Sequence, residues 1–130
     1  MADFGFIPNL VASGDISPFR FVKISGAFQG AQAAAEGDYA IGVTDGSVNK
    51  FDGTFHAVSG QQISLQPTNT VQIECGGNVT AGAFLESDAN GKAVAAGGAA
   101  AVSSYIALEG GASGEIIRAF RFGYRGPVFS

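Results

Sequence analysis

The sequence predicts an all-β domain, a small antiparallel β-barrel or β-sandwich with an extended N-terminal arm, and three observations carry that prediction. Short apolar alternations recur, as in Gln62-Ile63-Ser64-Leu65-Gln66 and Val71-Gln72-Ile73-Glu74-Cys75. Glycine-rich turns, drawing on 20 glycines in 130 residues, separate them. Residues 81–94 place two short apolar runs about Asn90-Gly91, a pair suited to the two positive φ values of a type I′ hairpin. The length fits one domain around one core, with residues 1–18 as the arm and 19–130 as a single β-domain.

The arm mixes isolated apolar residues with Pro8, Gly14 and Pro18 and sustains neither helical nor strand periodicity. Phe4, Phe6, Ile7 and Leu10 give it enough apolar surface to require cover, from its own domain or from a neighbour. Phe19-Arg20-Phe21-Val22-Lys23-Ile24 is β-prone, and the small-residue stretch 27–35 reads as a loop or a weak helical turn. A strand over 39–43 closes at Asp45-Gly46, and residues 51–60 form an excursion around Asp52-Gly53. Strands over 62–66 and 71–75 flank a Thr-Asn-Thr turn, with Pro67 ending the first. After the Asn90-Gly91 hairpin, Gly97-Gly98 interrupts an alanine-rich run, so 93–101 reads as a flexible or loosely helical loop. Two final strands, 104–109 and 115–122, are separated by Gly110-Gly111 and Gly114. A closed sheet would remove the exposed edges along which such strands aggregate.

Composition narrows the function classes. Charged residues make up 14% of the chain against 46% hydrophobic, below the roughly 25% charge usual for soluble domains, which suits a protein that covers much of itself with partners. Tryptophan is absent, so the eleven phenylalanines are the main packing anchors. A net charge of −4 with seven Lys and Arg residues argues against nucleic acid as a partner. Arg118, Arg121 and Arg125 form the one local cationic group, and the three-residue spacing of Arg118 and Arg121 points them to opposite faces of a strand. No apolar run approaches the roughly 20 residues of a membrane span, and the N-terminus lacks a secretory signal pattern, so no membrane partner is expected.

Residues with catalytic potential are sparse. Cys75 is the only cysteine, which leaves no intrachain disulfide and no Cys-x-x-Cys zinc site, and its alternation with Val71 and Ile73 makes it a buried small hydrophobe. His56 is the only histidine and reads as a surface or loop residue; no Gly-x-Ser-x-Gly elbow supplies a nucleophile to it. Glu86 and Asp88 share a strand face as solvated carboxylates, and Asp88 to Lys92 opens like a calcium loop but lacks the closing glutamate. No phosphate-binding glycine motif occurs, and Asn78-Val79-Thr80 matches a glycosylation sequon by chance. No catalytic residue, metal site or cofactor is expected.

Three segments, taken in order, carry a family resemblance: Glu36-Gly37-Asp38-Tyr39-Ala40-Ile41-Gly42-Val43, the hairpin 81–94, and Tyr105-Ile106-Ala107-Leu108-Glu109-Gly110-Gly111-Ala112-Ser113-Gly114-Glu115-Ile116-Ile117. Their order and spacing resemble the small capsid decoration, or cement, proteins of tailed bacteriophages, over most of residues 39–122. The resemblance implies a non-enzymatic virion protein on the capsid outer surface, assembled in the host cytoplasm. Such a protein would bridge major capsid subunits and stabilise the shell, through many weak contacts acting together. It further implies a homo-oligomer, preferably a trimer, with a dimer as the alternative. Contacts to the capsid or a sister subunit are expected at Phe4, Phe6, Ile7, Leu10, Phe122, Tyr124 and Phe129. A carbohydrate- or receptor-binding β-module on the virion surface is the alternative function.

Overall fold

The computed structural model describes residues 9–35, 37–50, 53–97 and 103–125, the last three as backbone path alone. These residues are all-β and form two sheets. The first contains β1 (Val11–Ala12), β2 (Phe21–Gly26), β3 (Gln29–Gln32) and β4 (Gly42–Val43), in the order β1-β3-β2-β4. The second contains β5 (Thr70–Glu74), β6 (Phe84–Ser87), β7 (Ala93–Ala95), β8 (Ser103–Ala107) and β9 (Ile116–Arg125), in the order β5-β9-β8-β6-β7. All ladders are antiparallel except β1 with β3.

Of the stretch assigned to an arm, residues 9–18 are described, and Val11–Ala12 within it joins the first sheet as β1. Val11 and Ala12 pair with Gln29 and Gly30, while Leu10, Ala12 and Ile16 are buried. Residues 27–35 hold β3 rather than a plain loop or helical turn. Gly30 makes this possible, because a Cβ there would meet Ile63 Cδ1 at 2.7 Å, so the small residue lets core side chains reach the strand. Likewise, β7 occupies the start of the alanine-rich run, held by pairing with β6 rather than by its own propensity. Residues 62–66 turn Ile63 and Leu65 inward as their alternation requires, but join their neighbours through isolated bridges at Gln62 and Leu65.

The Asn90-Gly91 hairpin forms, with a different turn. Gly91 has φ 75° and Asn90 is not among the residues with positive φ, so type I′ is not adopted. The Asp88 N–H donates to Lys92 O, and the Gly91 N–H donates to Asp88 O. Three residues thus lie between the closing pair, with a left-handed glycine last, as in a bulged hairpin. Asp88 selects this loop, since its Oδ1 accepts the N–H groups of Asn90 and Lys92 at 2.8 and 3.0 Å.

Two apolar clusters fill the molecule. The larger lies between the sheets, where Phe21, Ala33 and Val43 meet Val71, Ile73, Leu85, Tyr105 and Ile117. The Phe21 and Tyr105 rings lie 5.4 Å apart within it. The smaller gathers Leu10, Ala12, Ile16, Val22, Ala57, Ile63 and Leu65 against the first sheet. Cys75 is fully buried; burial pushes its thiol up from the ordinary value, and the carboxylates of Glu115 and Glu74 add to the rise. His56 is a loop residue but is buried, which corrects the surface placement. Its Nε2 accepts the Ser64 N–H at 2.9 Å and its Nδ1 lies 3.0 Å from Ser47 O. Glu86 is buried as well, so it is not a solvated partner to Asp88.

Candidate functional site

The ten-residue strand β9 sorts its side chains by parity, as a strand must. Ile117 and Ala119 enter the core, while Ile116, Arg118, Phe120 and Phe122 face outward. Register extends the outer set across the sheet: Ile106 lies opposite Phe120, and Phe84 opposite Ile106. The Phe84 and Phe122 rings tilt together with centroids 5.3 Å apart. Leu108 continues the row, its N–H donating to Arg118 O at 3.0 Å. The result is an apolar stripe on the outer face of the second sheet, with Leu108, Ile116, Phe120 and Phe122 38–51% exposed. Thr70, Gln72 and Glu74, set opposite Phe120, Arg118 and Ile116, give it a polar border along β5.

One ion pair stands within the stripe. Arg118 donates from its backbone N–H and from Nε to Glu109 Oε2, at 2.9 and 3.0 Å. These bonds hold the Glu109 carboxyl below the ordinary carboxylate range and raise the Arg118 guanidinium. Both groups stand in water, so their pairing orients them and neutralises the face more than it stabilises the fold. Arg121 points the other way, as its spacing requires, and donates through Nη1 to Ile41 O at 3.0 Å. The face therefore offers an uncharged balance and exposed rings, an arrangement suited to burial against another protein surface.

The residues expected to make partner contacts are distributed unevenly. Phe122 lies on the stripe. Tyr124 lies within β9. Leu10 is a correction: it is 3% exposed, inside the smaller cluster, and its carbonyl accepts the Ile63 N–H at 2.9 Å. Its side chain is spent on its own domain. Phe4, Phe6, Ile7 and Phe129 lie outside the described residues. Sequence reasoning missed Phe120, Ile116, Leu108, Ile106 and Phe84, although the even parity shared by Ile116, Phe120 and Phe122 was a readable signal once the strand was assigned.

No protein-family model matches the chain, and no curated protein matches it. Among solved structures, the chain is similar to one described as the crystal structure of the head fiber gp8.5 N base in bacteriophage phi29. The TM-score is 0.66 and the identity 17%, over 87% of this chain and 90% of that one. What the two have in common at that identity is the fold.

Proposed function

We propose that this protein is a structural component of a phage head, seated on the outer capsid surface, where it bridges major capsid subunits as a homo-oligomer. The observation that carries the reading is the exposed apolar stripe around Phe120 and Phe122, on a fold similar to that of a head fiber base. Three sequence segments resembling capsid decoration proteins support it independently. The stripe serves as the sister-subunit contact, a trimer being the preferred assembly, because a neutral apolar face can meet its own copy without burying an unpaired charge. Oligomerisation multiplies the copies held at one locus, so that modest contacts per copy give durable attachment.

Two measurements test this reading. Light scattering in line with size exclusion should give a discrete oligomer for the wild type, and the double variant Phe120→Ser, Phe122→Ser should shift it to monomer. Co-sedimentation with capsid shells lacking the protein should saturate at a fixed stoichiometry. A chain that never binds shells, yet binds a glycan array, would move the function to a carbohydrate- or receptor-binding module.

A further inference from the structure

The β2–β3 hairpin ends in a feature that nothing within the described residues repays. Phe28 sits at its tip in the left-handed region, φ 56°, and is 81% exposed. A bulged hairpin ordinarily places glycine or asparagine in that conformation, because a bulky L side chain is strained there. Phe28 thus carries two local costs together, a disfavoured backbone and an aromatic ring in water. Its backbone is held: Phe28 O accepts the Val11 N–H at 3.0 Å, and Ser13 and Ser25 hydroxyls bond at 2.8 Å beside it.

Position and charge say what the tip fits. The six residues of β2, at about 3.3 Å each, carry Phe28 roughly 17–20 Å from Phe21, which is anchored between the sheets. The tip is therefore a separate contact from the stripe on the second sheet. From Ile24 to Ala35 the sequence holds no charged residue, and Lys23 is already paired with Asp38 at 3.2 Å. Among the described residues of the β2–β3 hairpin, no unpaired cation is present to attract phosphate, whether of nucleic acid or of anionic lipid. We infer that Phe28 is a protruding anchor that inserts into an uncharged apolar pocket of the protein shell on which this molecule sits. The inference rests on the proposed head-surface role and gives that role its second contact, one face for sister copies and one knob for the shell.

Phe28→Asn provides the test, since asparagine tolerates the left-handed conformation. Relative to wild type, the variant should melt about 2–4 °C higher. Its oligomer size should be unchanged, and its affinity for empty shells should fall at least tenfold. Undiminished shell binding beside a wild type that binds would overturn the anchor while leaving the head-surface role intact. A lower melting temperature would show that the ring is repaid within its own chain, and a changed oligomer size would assign the pocket to a second copy; either overturns the inference. A wild type that does not bind shells overturns both the inference and the role it rests on.

Discussion

Tyr105 shows how a single buried side chain sets a pH limit on this fold. It is 1% exposed, packed at a tilt of 45° against Phe21, and burial pushes its hydroxyl up from 10.0 to about 12, with Arg121 pulling the other way and Tyr39 adding to the rise. A folded value above the unfolded one means that the neutral phenol is preferred in the native state. That stability is fully present below about pH 10 and is lost as pH rises toward 12, on the order of 2–3 kcal/mol in all. Tyr105→Phe should therefore show a shallower fall in stability across pH 10 to 12, measured by urea unfolding at stepped pH. An equally steep loss in the variant would assign the alkaline limit to other groups. His56 teaches a related lesson. Its partners Ser47 and Ser64 lie nine and eight residues away, and Asp45 lies 3.4 Å from its Nδ1. Burial pushes the Asp45 carboxyl up, but hydrogen bonds from Ser47 and Ser64 outweigh it and hold the group below the ordinary range. The polar cluster fastens a loop, a role that a lone histidine in a sequence does not announce.

At the scale of elements, the hairpin over residues 84–95 is the part whose loop chemistry is most exposed to mutation. Asp88→Ala removes the acceptor for two backbone N–H groups and should cost about 1–2 kcal/mol. Gly91→Ala should cost more, at least about 2 kcal/mol. Its φ of 75° disfavours a side chain, and a Cβ would meet Gln32 Cγ at 2.7 Å and Ala33 O at 3.2 Å, across the junction with the first sheet. Equilibrium unfolding of both variants gives the order, and a Gly91→Ala variant as stable as wild type would contradict that close approach. The same hairpin marks what was legible beforehand. Strands β5, β6, β8 and β9 were readable because each alternates or is apolar enough to declare itself. Gln29-Gly30-Ala31-Gln32 carries no such pattern, and its strand state is imposed by pairing with β2; Ala93-Val94 declares itself only as the second run of the Asn90-Gly91 hairpin, since the alanine-rich stretch it opens reads as a loop. The turn was legible as a turn, but its type was decided by Asp88, which lies before the Asn-Gly pair. On the exposed stripe, Phe122 and Phe120 share a parity that the sequence displays, although only Phe122 was singled out from it, whereas Leu108 and Phe84 join only through register. Leu10 was misread because its burial depends on Ile63, more than fifty residues on, and no local periodicity encodes that contact.

The whole molecule is held as one unit by what crosses between its sheets. Glu74 on β5 receives Arg20 Nη1 at 3.0 Å and Lys92 Nζ at 3.1 Å, tying the strand to the entry of β2 and to the hairpin loop. Arg20 Nε also donates to Asn90 O, and the Phe21 N–H donates to Gly91 O at 2.9 Å, so the loop is bound to the first sheet by main-chain atoms as well. Phe21 then drives from the first sheet into the cluster made largely by the second, where its ring meets Tyr105. Because the larger core takes side chains from both sheets, each sheet loses the cover of its core-facing side when the other is lost. Phe21→Ala should accordingly cost about 3–5 kcal/mol, by deleting a fully buried ring and leaving a cavity. The loss should fall on both sheets at once. Denaturant unfolding followed by far-ultraviolet circular dichroism and by tyrosine fluorescence should give one coincident transition in the variant, its midpoint lowered and its slope unchanged. Two separated transitions would mean that the smaller cluster sustains the first sheet by itself. The coupling argued from Phe21 and Glu74 would then give way to two stable halves, one bearing the Phe28 tip and the other the Phe120 stripe.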